Sequence, residues 1–241
     1  MPATWYNGKI VEIKNLSPDV REFTIETEGI STFDFLPGQF VTMDLPVSDK
    51  RLHRWKSYSI ANAPDGSNKL QFCIVRLEGG VGTSYLFEQV DLGTILKFKG
   101  PEGGFVLPKD LSKKLIMICT GTGVAPFRSM LNFIRDKHLE FNEIHLIFGT
   151  RYESGILYKD EFENMAADIP GFKYSVALSR ESKHPYFEGY VHQIYMNERN
   201  NNDSDTRFYI CGWSKMIDDA VANLIIKCGY DRSQVHYELY G

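Results

Sequence analysis

A chain of 241 residues with 43% hydrophobic and 24% charged side chains has the balance of a globular protein and excludes extensive disorder, a collagen or a coiled coil. Its 27 Lys and Arg against 31 Asp and Glu leave a formal charge of −4, whereas nucleic-acid binders draw affinity from a basic excess. The length allows one large domain or two ordinary ones, each with its own core.

The N-terminal MPATWYNGKIVEIK holds no apolar run of the kind a secretory signal needs. Apolar strings elsewhere, such as Leu115 to Cys119, are too short to cross a membrane, so a cytoplasmic protein is expected. Val20 to Glu26 alternates its side chains, FVTMDL from Phe40 follows a Pro-Gly turn, and Lys69 to Arg76 and Thr94 to Phe98 repeat the alternation. Short strands separated by turn residues predict a small antiparallel barrel, interrupted by one short helix after Gly79, Gly80 and Gly82.

From Lys114 the rhythm changes. Apolar strands start near Lys114, Glu143, Phe172, Arg207 and Gln234, the spacing of repeated strand–helix units. The helix after the first carries Phe127, Met130, Leu131 and Ile134 on one face. Another aligns Ile217, Ala220, Val221, Leu224, Ile225 and Cys228, with Ser214 expected as its N-cap and its end before Gly229. The fold class expected is two-domain, β plus α/β: an antiparallel barrel over 1–110, then an open parallel sheet with helices over 111–241. Pro101 to Lys114 reads as the seam and Asn197 to Asp205 as a solvated loop. Cys73, Cys119, Cys211 and Cys228 include no CxxC pair, so reduced thiols are expected, without metal or disulfide scaffold.

Two stretches carry chemistry. CTGTGVAPFR, Cys119 to Arg128, lies between a strand and a helix, the context of a nucleotide-binding glycine loop. Gly121 and Gly123 let backbone approach a pyrophosphate, and Pro126 suits a first helical turn because it has no N–H to leave unsatisfied. Pro126 also stands where the Rossmann pattern has its third Gly or Ala. Alone, such a turn is as often structural as functional. In the first half, Lys56, Tyr58, Arg76, Gly80, Gly82 and Thr83 offer positive charge, a flat ring and donors at a short helix N-terminus, an inventory that suits a dinucleotide. Taken in isolation, that stretch reads as a barrel strand with a tight turn.

FLPGQF, KSYSIAN, GGVGTSYL, GTGVAPFRSML, ILYKDEFENM, LSRE, YICG and the terminal YELYG occur in one order along nearly the whole chain. This pattern resembles the ferredoxin–NADP reductase family, most of all its plant-type branch. The resemblance implies an FAD-binding barrel, an NADP(H)-binding sheet domain, and nicotinamide meeting flavin between them. It implies that Tyr58 packs on the isoalloxazine, Ser59 hydrogen-bonds near flavin N5, and Thr83 with the amides around Gly82 holds the FAD pyrophosphate. Ile74 and Arg76 match the contacts to the AMP half, and Thr122 lies near both cofactors. Lys56 replaces the motif's Arg, keeping the charge but losing the bidentate fork, which leaves FAD against FMN open. Arg54 is the residue that would compensate.

By the same resemblance, Gly121, Thr122, Gly123, Pro126, Arg151, Cys211 and Gly212 bind NADP(H). Cys211 flanks nicotinamide C4, Glu238 contacts the carboxamide or relays a proton, and Tyr240 is the terminal aromatic stacked on the flavin. Gly241 extends the chain beyond it. Ser179 and Arg180 match the 2′-phosphate contacts, Lys183 adds charge, and Tyr190 covers the adenine, although NADH-using relatives also show a Ser-Arg pair. The implied enzyme is a monomeric NAD(P)H oxidoreductase that exchanges electrons with ferredoxin or flavodoxin, steered by Lys50, Arg51 and Arg54. Alternatives are an NADH-dependent reductase component of an oxygenase, a free-flavin reductase, and a non-enzymatic flavin-carrying subunit.

Overall fold

Apolar side chains on the inner face of the N-terminal strands lie inside a closed sheet. The computed structural model describes residues 4–197 and 203–240, Tyr240 by its backbone. A hairpin of β1 (Trp5–Ser17) and β2 (Val20–Thr27) is followed by β3 (Phe40–Asp44), α1 (Arg51–Arg54), β4 (Trp55–Ser59), β5 (Lys69–Val75), α2 (Val81–Glu88) and β6 (Ile95–Glu102). The strands pair antiparallel in the order β4-β3-β6-β1-β2-β5. An Ile60–Phe72 bridge, with the Ala61 amide donating to the Gln71 carbonyl at 2.8 Å, joins the two ends and closes the barrel. Phe23, Ile25, Val41, Phe72 and Phe98 fill its core. The expected barrel and its short helix are present, but the helix starts at Val81 and takes Gly82 into its first turn rather than following it; β1 and the one-turn α1 lack a clear alternating or periodic signal.

Helix α3 (Ala125–Asp136), though later in the chain, belongs to this unit, which ends at Leu107 and resumes over 125–137. Its Arg128 Nη1 donates to Gln71 Oε1 (2.8 Å) and the Ala61 carbonyl (3.2 Å) and lies 3.4 Å from Glu22 Oε2. Ser129 Oγ donates to the Asn62 carbonyl at 2.6 Å. Glu22 and Thr24, which alternation assigns to solvent, are both buried. The face expected on this helix is buried at all four positions, Phe127, Met130, Leu131 and Ile134.

The second unit contains β7 (Lys114–Thr120), β8 (Glu143–Thr150), α4 (Lys159–Asp168), β9 (Phe172–Leu178), β10 (Phe187–Glu188), α5 (Val191–Asn197), β11 (Thr206–Trp213), α6 (Ser214–Val221) and β12 (Val235–Tyr240). All six strands run parallel, ordered β10-β9-β8-β7-β11-β12. β7 is buried continuously from Leu115 to Cys119, as a strand covered on both faces must be. Ile118, Ile147, Phe208, Ile217 and Leu224 belong to its core.

One expectation needs correction. The N-cap of α6 is Trp213, not Ser214, and no side chain caps it; Ser214 already has helical geometry. The helix continues as a π-helical turn, Ala222–Lys227, and ends before Gly229 at φ +73°. Its expected face holds, with Ile217, Ala220 and Leu224 buried and Val221, Ile225 and Cys228 packed beside them. In the predicted loop from Asn197 to Asp205, residues 198–202 lie outside those described. No described helix is long and apolar enough to cross a membrane.

Candidate functional site

In the first unit, the candidate anion site forms where β4 faces the start of α2. The Lys56 stem runs beside Gly82, whose added Cβ would lie 3.4 Å from Lys56 Cγ. Helix geometry leaves the first-turn amides of Val81, Gly82 and Thr83 without intrahelical acceptors. A lysine ammonium and a helix N-terminus at one place form a donor set suited to a pyrophosphate. The Thr83 hydroxyl is spent within the loop: it accepts from the Leu77 amide (3.1 Å) and donates to the Gly80 carbonyl (3.1 Å). The Thr83 hydroxyl thus already has one donor and one acceptor within its own turn.

Tyr58 is half-buried on β4, and burial pushes its phenol well above its ordinary value, so it stays neutral. Ser59 ends the strand, buried and in register with Phe40. The Ile74 side chain is in the barrel core. Arg76 pairs with Glu88 and lines a cleft of about 480 Å³ with Arg21, Asn15 and Phe87. Arg54 is not a strand neighbour of Lys56. It closes α1, and its guanidinium is bidentate on Asp44 at 2.7 and 2.8 Å. Arg51 lies over the Trp55 ring at 4.6 Å, and Lys50 and Leu52 are exposed beside it.

In the second unit, the strand order reverses at β7, whose neighbours are β8 on one side and β11 on the other. Ligands of open α/β sheets bind at such a switch, outside the strands' carboxyl ends. Gly121, at φ +53°, to Val124 form a 3₁₀ turn there that leads into α3 and its first-turn Pro126, with Thr122 half-buried. A Cβ on Gly123 would lie 2.4 Å from the Cys211 carbonyl oxygen, so only glycine allows this approach. Gly212, at φ +147°, is equally constrained: its Cβ would meet Thr120 Oγ1 at 2.5 Å. Cys211 is in register with Cys119 on one side and Glu238 on the other. Burial pushes the Cys119 thiol well up, which leaves it neutral. Glu238 is half-buried; the side chain of Tyr240, and Gly241, lie outside what is described.

A cationic group lies at the ends of β8 and β9. The Ser179 amide donates to the Thr150 carbonyl (2.9 Å) and the Arg180 amide to the Arg151 carbonyl (3.0 Å), which places Arg151 and Arg180 side by side, both exposed. Lys183 is paired with Glu153. Tyr190, 60% exposed, is stacked on His192 at 5.6 Å. Residues overlooked in the sequence are Thr120, Trp213 and Glu153. Trp213 follows YICG directly, and its indole Nε1 would be 3.9 Å from a Cβ on Gly121. Among the described residues no His, Cys, Asp or Glu cluster is arranged to hold a metal ion.

Residues 7–107 match the oxidoreductase FAD-binding domain and residues 117–222 the oxidoreductase NAD-binding domain. Ferredoxin–NADP reductase B of Sorangium cellulosum is 32% identical over 241 residues, covering 98% of this chain and 97% of that protein. The toluate 1,2-dioxygenase electron transfer component of Pseudomonas putida is 31% identical over 237 residues, 98% of this chain but 67% of its own length. A solved ferredoxin NADP+ reductase from Neisseria gonorrhoeae, with bound FAD and NADP, shares the fold at a TM-score of 0.83 and 23% identity, over 98% and 99% of the two chains.

Proposed function

The chain belongs to the ferredoxin–NADP reductase family, with its FAD-binding and NAD-binding domains, and from that premise we propose that it exchanges electrons between NADP(H) and a one-electron protein carrier such as ferredoxin or flavodoxin. The observation that carries this reading is the convergence of Gly123, Cys211, Gly212 and Glu238 at the switch between β7 and β11, within a chain of which 98% matches a ferredoxin–NADP reductase.

The residues present fit both cofactors. Lys56 and the first-turn amides of α2 hold the FAD pyrophosphate, and Arg76 contacts its AMP half. Tyr58, neutral and half-buried, supplies a flat wall for the isoalloxazine. FAD held there would supply the hydride acceptor at its N5 and the capacity to release electrons singly. On the nucleotide side, the Gly121–Gly123 turn takes the pyrophosphate. Cys211, a small buried side chain, leaves room for the nicotinamide ring, and Glu238 holds the carboxamide. Ser179, Arg180 and Arg151 receive the 2′-phosphate. With Arg54 committed to Asp44, steering of an acidic carrier falls to Lys50 and Arg51, with Leu52 as an apolar contact between them.

The test is anaerobic stopped-flow absorbance of the flavin-loaded chain with NADPH and with NADH, repeated on Arg180→Ala. NADPH should bleach the flavin band far faster than NADH, and the substitution should raise the KM for NADPH by about tenfold or more while sparing NADH. Equal effects on both would remove Arg180 from the phosphate site. Preference for NADH would favour an oxygenase reductase component, the class of the Pseudomonas putida relative. Bleaching by neither would end the enzyme reading in favour of a flavin-carrying subunit.

A further inference from the structure

Six charged side chains gather on two backbone segments at the ends of β8 and β9, where the reading above places the 2′-phosphate, and the inference rests on that reading. Besides the two backbone bonds already described, the Glu153 amide donates to Glu181 Oε2 at 2.6 Å. Arg151, Lys159, Arg180 and Lys183 supply four positive charges, against Glu153 and Glu181. The Glu153 carboxylate engages two of those cations. Its Oε2 pairs with the Lys183 ammonium, and its Oε1 lies 3.4 Å from Lys159 Nζ, which sits 5.3 Å from the Tyr186 ring centroid. Lys183 holds the Glu153 carboxyl below the usual range and is itself raised by it, so both are charged at neutral pH.

The pair is built to exchange. The side chains of Glu153, Lys159 and Lys183 are 28%, 37% and 50% exposed, and ion pairs this open are weakly held. An arriving phosphate dianion seeks the same ammonium donors and meets a carboxylate of its own sign. The local fold does not depend on that carboxylate, because the backbone link from residue 153 runs through its amide to Glu181. We propose that Glu153 is a specificity-determining residue, an internal competitor that occupies Lys183 and Lys159 and thereby sets how strongly the chain prefers phosphorylated over unphosphorylated nicotinamide cofactor.

Titration calorimetry of the FAD-loaded full chain with 2′,5′-ADP and with ADP, at low and high salt, tests this in Glu153→Gln. Binding of 2′,5′-ADP should tighten about three- to fivefold, with ADP unchanged within about twofold, and the gain should fade as salt rises. The double variant Glu153→Gln/Lys183→Gln should lose most of the gain, because Lys183 is the more closely held of the two freed ammonium groups. Unchanged or weaker 2′,5′-ADP binding in Glu153→Gln, an equal gain for both ligands, or a gain that survives the second substitution would each overturn the proposal. A wild-type chain that binds 2′,5′-ADP no better than ADP, with Arg180→Ala altering neither, would overturn the phosphate-site reading and this proposal together.

Discussion

Alanine at position 123 would place a methyl carbon 2.4 Å from the Cys211 carbonyl oxygen, 2.7 Å from its carbon and 2.8 Å from Gly212 Cα. Carbon–oxygen contacts of this type settle near about 3.3 Å, so the two backbones would have to part by about 0.9 Å (3.3 minus 2.4). Nothing flexible can give way, because every obstructing atom is main chain, and Gly212 is already held at φ +147° against Thr120. The overpacking should cost about 1–3 kcal/mol of stability. Its larger effect should fall on the nucleotide, since displacement of a reacting group by about 1 Å can cost about 10²-fold in rate. We expect Gly123→Ala to retain FAD, bind NADP+ at least about tenfold more weakly in difference-spectral titration, and slow flavin reduction by NADPH about 10²-fold. Gly121→Ala gives the comparison for backbone strain without main-chain crowding: its Cβ meets no atom closer than Trp213 Nε1 at 3.9 Å, so its stability cost should be about 1–2 kcal/mol, from the left-handed backbone alone. NADP+ affinity and reduction rate within twofold of wild type in Gly123→Ala would refute the argument that this approach shapes the site.

Arg128→Ala should destabilise the chain by about 3–5 kcal/mol in urea denaturation, because it removes the guanidinium 3.4 Å from a carboxylate whose side chain is only 4% exposed. Arg128→Met combined with Glu22→Gln should recover most of that loss, and a cost below about 1 kcal/mol for the single change would mean the pair acts as a surface pair does. Glu143 gives a pH dependence. Burial opposes its ionisation, but the ammonium groups of Lys114 (2.9 Å) and Lys173 (3.1 Å) outweigh it and hold the carboxyl below its ordinary value. A depressed folded-state value means the stabilisation is present above the unfolded glutamate pKa of about 4.3 and is lost as pH falls below it. Thermal melts between pH 6 and pH 3 should therefore fall less steeply for Glu143→Gln than for wild type; parallel curves would contradict this.

The period of apolar residues was enough to expose the two halves. Apolar residues at every second position, Phe23 and Ile25 on β2 and Leu70, Phe72 and Ile74 on β5, mark strands with one apolar face, and the run from Leu115 to Cys119 marks a strand buried on both. The switch-point loop was legible as a glycine turn between a strand and a helix, a pattern that on its own is as often structural as functional. The Thr83 hydroxyl was not: a side chain that satisfies its own turn looks, in one dimension, the same as one that awaits a ligand. Nor was the N-cap of α6, since Ser214 has the right chemistry and yet already has helical geometry one residue inside the cap.

What the sequence by itself determined is therefore the identity of the elements and of the glycine turn, both set by interactions within a few residues. Only the tertiary structure decided what covers the outer face of β2, where α3 brings Arg128 to Glu22 across more than a hundred residues of chain. The same holds for Cys119, Cys211 and Glu238, distant in sequence and neighbours in register, and for the pairing of Lys183 with Glu153 rather than with solvent. Local periodicity reports which side of a strand is apolar. Which residue meets that strand's other face, or its neighbour's end, depends on strand order and register, and these are settled only when the whole sheet closes.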